Sequence, residues 1–269
     1  MGFLGNAVKR VEDPALLRGK ASFTDNIHLP GQLYVAFVRS YEAHARIRGI
    51  DTSEALAVPG VVAVFTAADL EPVPVLDTCG GYMPVPGMEQ PLLAGDKVHF
   101  VGEAVAAVVA SSRYAAADGV AAVEVDYEPL PAVIDPEQAL APDAPVVFED
   151  WGSNLIVDTA EEAMPDDLFA EADVVIEMDI ANQRVASASL EPRSVLVGPH
   201  PETGELTLWS SNQHPQKLHS DACALLGLDS SELRVIAPDV GGGFGAKSLP
   251  YPEEILLVLL ARRLGQPVT

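Results

Sequence analysis

The sequence predicts a mixed α+β fold, and three observations carry that prediction. Residues 105–110 (VAAVVA) are a near-continuous apolar run of strand length. Residues 112–122 follow with alanine-rich helical spacing, and Ser111 or Ser112 stands where an N-cap belongs. Residues 123–127 (VEVDY) then alternate apolar with polar and are closed by Pro129 and Pro131. Strand, helix and strand in succession, with further strands around them, define an α+β or α/β domain.

The rest of the chain is built around that unit. Residues 1–18 are a polar lead-in, with Lys9 and Arg10 close to Glu12 and Asp13. From Gly19 a globular pattern begins. Pro30-Gly31 opens a strand at 33–38 (LYVAFV), and Pro59-Gly60 opens another at 61–65 (VVAVF). Residues 71–90, rich in Pro and Gly, read as a long excursion, more a functional or contact loop than a simple connection. The first domain closes near Pro145, which bounds it at 19–145. Residues 146–165 are polar and weakly periodic and read as a linker. Within a second region, 166–269, residues 166–172 are a candidate short helix. Residues 172–180, 192–197, 206–209 and 233–237 read as strands. Residues 215–226 are helical, and 252–264 form an apolar helix ending at Gly265. The last residues resemble the start of a strand. An expectation follows that the second region is interrupted and leaves an apolar face at residues 255–260 uncovered.

Composition narrows the function classes. A chain of 269 residues can hold two modest domains with cores, and 48% hydrophobic with 20% charged residues excludes disorder. A net charge of −23 argues against a nucleic-acid partner, because phosphate binding needs clustered Lys and Arg. The acidity is a solubility device or the mark of a salt-rich or acid-biased proteome. Cys79 and Cys223 stand far apart with no CxxC, so they supply no disulfide framework, zinc site or iron–sulfur ligand set. Residues 1–14 lack the apolar core of a signal peptide, and no later segment has the length of a membrane span. The expected compartment is the cytoplasm.

Residues 235–248 (VIAPDVGGGFGAKS) concentrate the chemistry. An apolar strand runs into Pro238 and Asp239, then into Gly241, Gly242, Gly243 and Gly245, with Phe244 the one side chain among them. Such a break lets something approach the backbone closely, and successive N–H groups in a glycine loop cradle anions. The bland alternative is a tight glycine turn. A nucleotide-binding P-loop fits less well. Ala246 replaces the second glycine of that pattern, and Pro250 and Pro252 follow Lys247-Ser248 where a helix should open.

Six stretches in order carry a family resemblance: KRVEDPALLRGKASFTDNIHLPGQLYVAFVRS with AHARI; PGVVAVFTAADL; VGEAVAAVVA with VEVDYEPLPAV; NQRVASASLEPR; LTLWSSNQHPQ; and RVIAPDVGGGFGAK. Together they resemble the amino-terminal part of the molybdopterin-binding large subunit of the xanthine dehydrogenase and aldehyde oxidase family. The likeness is greatest to the carbon-monoxide-dehydrogenase type. The resemblance implies an α/β hammerhead domain followed by the start of a molybdopterin-binding domain. It implies cofactor contacts at Gln213, Gly242, Gly243, Phe244 and Gly245, with the N–H of the phenylalanine or glycine position near an oxo ligand. No side chain of this chain is implied to ligate the metal. The implied cofactor is molybdenum-molybdopterin in its cytosine dinucleotide form. The implied chemistry is oxidative hydroxylation of carbon monoxide, an aldehyde or an N-heterocycle, with water as the oxygen source. Electrons would leave through iron–sulfur clusters and FAD on a small and a medium partner subunit. The general-base glutamate is implied to lie beyond Thr269, in the remainder of the large subunit, so that this chain alone would be inactive.

Several residues keep a bland reading beside the functional one. Gln213 alone is an ordinary polar residue at a strand end. Lys247 is a phosphate contact, a support behind the loop or a surface lysine. His214 and His219 lack the i, i+4 spacing of a helical zinc pair and read as surface or helix-start residues. His44 reads as a support of the first domain. Glu191 and Arg193 form a buried pair or line a pocket entrance. Glu253 and Glu254 cap a helix. Beside the molybdenum enzyme, a non-catalytic docking module and a degenerate P-loop protein stand as alternatives.

Overall fold

The computed structural model of the chain describes residues 4–70, 72, 75–76, 89–157 and 168–269. Its strands in the first part are β1 (Tyr34–Arg39), β2 (Ala45–Asp51), β3 (Val61–Thr66), β4 (Val75–Leu76), β5 (Gln90–Pro91), β6 (Lys97–Val98), β7 (Ala104–Ala110) and β8 (Glu124–Pro129). Then come β9 (Val195–Pro199), β10 (Leu206–Ser210) and β11 (Arg234–Ile236). The helices are α1 (Asp13–Leu16), α2 (Ser53–Ala57), α3 (Arg113–Ala121), α4 (Pro215–Leu226) and α5 (Pro252–Leu264).

β7 runs antiparallel between β1 and β3. All of its residues are buried, because Ala107 and Val109 meet one core cluster while Ala106 and Val108 meet another. A strand covered on both faces needs apolar residues throughout, which is why it reads as a run and not as an alternation. The Ser112 hydroxyl accepts the Ala115 N–H at 3.1 Å and caps α3. A second sheet has the order β6-β2-β8. β2 is absent from the sequence-based expectations for a physical reason. A register shift between Ile47 and Gly49 throws its apolar residues out of strict alternation. His44, just before β2, is buried, and its Nδ1 lies 3.0 Å from the Pro131 carbonyl.

In the remaining part, β10 pairs antiparallel with β9 and parallel with β11. Residues 267–269 connect this sheet to the first. Val268 N–H donates to Val197 at 2.9 Å, and Thr269 N–H donates to Leu33 at 3.0 Å. The largest core cluster therefore contains Leu33 and Val109 as well as Val197, Leu208, Leu218 and Leu256. Both halves share one core, where the length suggested one for each.

Three expectations are corrected. Residues 255–260 are not uncovered: Ile255, Leu256, Val258 and Leu260 are 0% exposed, because α5 lies within the shared core beside β9. Residues 172–180 form no strand, and Val174, Ile176, Met178 and Ile180 are 75%, 79%, 73% and 80% exposed. Their alternation has no neighbouring strand among the described residues to bond with. Of the short helix expected at 166–172, residues 168–171 are turn and 166–167 lie outside the described residues. Most of the excursion at 71–90, Cys79 included, and residues 158–165 of the linker also lie outside them. The ends of the excursion pair as β4 and β5. No helix among the described residues is long and apolar enough to cross a membrane.

Candidate functional site

β11 leads the chain out of the sheet into the glycine loop. Asp239 fastens the loop's entrance, its N–H donating to Ser22 O at 3.0 Å and its carboxylate accepting Ser22 N–H at 2.8 Å. Gly242, Phe244 and Gly245 then take positive φ values of 96°, 51° and 87°, while Gly243 between them does not. Phe244 is the only non-glycine with positive φ among the described residues, and the residue is 73% exposed. A residue held in that region costs of order 1–3 kcal/mol and persists where its surroundings enforce it. Alternating backbone conformations of this kind turn successive N–H groups into one concavity. The N–H groups of Gly242, Gly243 and Phe244 have no hydrogen-bond partner among the described residues.

Gln213 enforces the shape. It follows β10 and precedes α4, so one end of the sheet delivers it to the loop. Its N–H donates to Lys247 O at 2.8 Å, and its Oε1 accepts Gly245 N–H at 3.1 Å and Lys247 N–H at 3.3 Å. A Cβ on Gly243 would overlap that amide, so a side chain there would push Gln213 out of this position and break its bonds to Gly245 and Lys247. The φ of Gly243 is not positive, so the crowding there comes from its neighbour and not from the turn. The Gln213 Nε2 group has no partner among the described residues, and the residue is exposed. The acceptor of the amide is engaged inside the protein and only its donors face outward. Gly245 N–H is engaged as well, so Phe244 supplies the free N–H of that pair.

Behind the loop, Lys247 is buried. Its Nζ donates to Glu191 O at 2.8 Å, to Glu191 Oε2 at 3.1 Å and to Ser211 Oγ at 2.7 Å. The P-loop reading fails here, because this lysine has no donor left for a phosphate and α5 begins only at Pro252. Glu191 and Arg193 do not pair with each other. Arg193 lies 3.5 Å from Glu253 and stacks on Tyr251, 3.6 Å from the ring centroid. Glu253 also binds Arg39 at 2.6 Å. Burial raises the Glu253 carboxyl, but the Arg39 hydrogen bond and the Arg193 charge more than offset it and hold it below the usual glutamate range. Burial pushes the neighbouring Glu254 up, against hydrogen bonds from Ser210, Tyr251 N–H and Asn212. Glu254 is thus a cap of α5 that also ties down the strand end before Gln213. Its position at the helix start was legible. The partnership of Glu191 with Lys247 was not, because 56 positions separate them and no local spacing reports such a pair.

His214 is the N-cap position of α4, and His219 Nε2 lies 3.0 Å from Leu233 O. No group of three or more His, Cys, Asp or Glu among the described residues is placed to hold a metal ion. A cavity of about 1050 Å³ borders the loop, walled by Gly241, Gly242, Arg193, Phe37 and Leu257.

The chain thus combines an α/β unit, through a shared core, with a region that presents a row of free loop amides. Two family models match accordingly: the aldehyde oxidase and xanthine dehydrogenase a/b hammerhead domain over residues 18–131, and the molybdopterin cofactor-binding domain over residues 147–269. The chain belongs to the aldehyde oxidase and xanthine dehydrogenase family of molybdopterin-binding large subunits. It is 41% identical to the carbon monoxide dehydrogenase large chain of Afipia carboxidovorans, over 98% of this chain and 34% of that one. It is 39% identical to the nicotine 6-hydroxylase large subunit of Paenarthrobacter nicotinovorans, over 98% of this chain and 33% of that one. The crystal structure of quinoline 2-oxidoreductase from Pseudomonas putida 86 superposes with a TM-score of 0.87 at 37% identity, covering 98% of this chain and 34% of that one. The chain thus spans about a third of the length of these relatives.

Proposed function

We propose that the chain is the amino-terminal part of a molybdenum hydroxylase large subunit, and that Gln213, Gly242, Gly243, Phe244 and Gly245 form its cofactor-facing surface. One observation carries the reading. The three N–H groups at 242–244 and the Gln213 amide donors are unengaged, while the carbonyls of Gly241, Gly243, Phe244 and Gly245 are already taken by Glu191 N–H, Ala246 N–H, the Ser187 hydroxyl and Ser248 N–H. Such a face suits an anionic or oxo group, and a positive φ at Gly242 and Gly245 keeps side chains out of it. The residues present therefore fit a molybdopterin group. When bound, that cofactor supplies oxidation of a carbon centre with water as the oxygen source.

The chain's own part is to bind and orient. The loop amides hold fixed dipoles toward developing negative charge, and the exposed Phe244 lies with its ring against Gly242. On this reading the hammerhead spans 19–145, with 146–165 as linker and 166–269 as the first portion of the cofactor domain. The cofactor is the cytosine dinucleotide form. The general-base glutamate comes from the remainder of the large subunit, and a small iron–sulfur subunit and a medium FAD subunit accept the electrons. Two cysteines are too few for the clusters. The substrate is carbon monoxide, an aldehyde or an N-heterocycle.

The test is to express the large subunit carrying this sequence with its partners and to measure molybdenum and pterin. The unaltered protein is expected to carry both in stoichiometric amount. Gly245→Val forces a branched residue into positive φ and should lower pterin content about tenfold while the β1-β7-β3 sheet stays folded. Normal loading of that variant would contradict the reading.

A further inference from the structure

We propose that Lys247 is a positioning residue: a buried strut that, with Glu191 and Ser211, clamps both ends of the glycine loop so that the amides of 242–244 face outward. This rests on the cofactor-facing reading of the loop given above.

The geometry is specific. The Lys247 side chain is 1% exposed, and its three contacts use all three ammonium donors. Glu191 Oε2 receives Lys247 together with Ser211 Oγ at 2.5 Å and Gly241 N–H at 2.7 Å. One carboxylate oxygen therefore holds the first residue of the loop through Gly241 and the last through Lys247. Between these fixed points, Gln213 Oε1 takes the N–H groups of Gly245 and Lys247. The amides at 242–244 are those that neither clamp uses.

The strut also explains Gly241. Its φ is not in the left-handed region, yet a Cβ there would overlap the Glu191 Cβ. The glycines of the loop thus serve different ends: 241 admits Glu191, 243 admits Gln213, and 242 and 245 supply the turn. The buried ammonium and the Glu191 carboxylate depend on each other, because removing either leaves an uncompensated charge, whereas the neutral Ser211 hydroxyl contributes a hydrogen bond only. The pair is neutral as a whole, so it sets the shape of the donor row without adding net charge.

Lys247→Met keeps the length of the side chain and removes its donors. In hydrogen exchange of the protein without cofactor, the bonded amides of Gly241, Gly245 and Lys247 within peptides covering 239–248 should exchange about tenfold or more faster, and peptides of β7 should be unchanged. Ser211→Ala, a milder cut in the same network, should give a smaller increase in the same peptides. Glu191→Gln combined with Lys247→Met leaves no lone charge and should recover part of the protection. In the cofactor-loaded assembly, Lys247→Met should retain pterin and shift the molybdenum(V) electron paramagnetic resonance spectrum. Unchanged loop exchange in Lys247→Met would overturn the strut. Equal acceleration in β7 would make Lys247 a residue of global stability and overturn positioning. Faster loop exchange with an unaltered spectrum would also overturn it. Absence of pterin from the unaltered assembly would strike the cofactor reading instead, and the exchange measurements would still decide the clamp.

Discussion

Residues 174–180 and residues 255–260 are both rich in branched aliphatics, and the fold treats them in opposite ways. Val174, Ile176, Met178 and Ile180 stand in solvent, while Ile255, Leu256, Val258 and Leu260 are fully buried. The difference is one of self-sufficiency. α5 bonds its own backbone, starts with Pro252 and a capping box from Glu254, and ends on Gly265 at φ 64°. It needs only a surface to lie on, and β9 with the shared core provides one. An alternating segment has no internal backbone bonds and becomes a strand only beside another strand. Among the described residues, nothing lies alongside 172–180 to pair with it.

The contrast can be broken most directly by truncation. Leu256→Ala should cost about 2–5 kcal/mol, as for a fully buried aliphatic that leaves a cavity. Ile176→Ala should stay within about 0.5 kcal/mol, as for an exposed position. Urea unfolding of both variants measures this. Comparable losses would mean that 172–180 is covered in solution and that the two regions do not differ.

The loop between these extremes should respond in function more than in stability. Gln213→Ala removes an exposed side chain whose oxygen holds two loop amides and whose donors face outward. Turnover of the assembled enzyme should fall by the equivalent of about 2.7–4 kcal/mol, the usual cost of losing one preorganised donor. Stability should fall by only about 1 kcal/mol. Full turnover with full molybdenum loading would remove Gln213 from the site.

Smaller still is the effect of pH on the start of α5, where adjacent carboxylates are shifted in opposite directions. Glu253 is held low, so its contribution is present above the ordinary glutamate pKa and is lost as pH falls through its lowered value. Glu254 is pushed up. Its contribution is complete below the ordinary value and is lost as pH rises through its raised value. Glu254→Gln should therefore flatten the loss of stability that accompanies rising pH, read by denaturant unfolding from about pH 4 to about pH 8. An unchanged pH profile would show that Glu254 does not titrate differently on folding.

Legibility in the sequence follows the same division. α4 and α5 could be placed from their proline starts and glycine ends, and β7 from its unbroken apolar run. β2 was hidden by its bulge, and 172–180 has the alternation of a strand without a partner. Within the candidate site, the glycines stood out because their motif is local, while Gln213 entered only through the family resemblance. Lys247 and Glu191 were noticed, with a support behind the loop among the readings of Lys247, but their partnership with each other and with Ser211 was not, because the fold alone brings 191, 211 and 247 together. The reason for each glycine was equally invisible, since it depends on which neighbour lies behind it.

The central claim is that the free amides of Gly242, Gly243 and Phe244 face the cofactor. Residue-resolved hydrogen exchange of the assembled large subunit, with and without its pterin, tests it directly. The account predicts rapid exchange at these three positions without cofactor and strong protection once it is bound, with Gly245 already protected in both states through Gln213. Pterin bound in full while the three amides still exchange freely would contradict it.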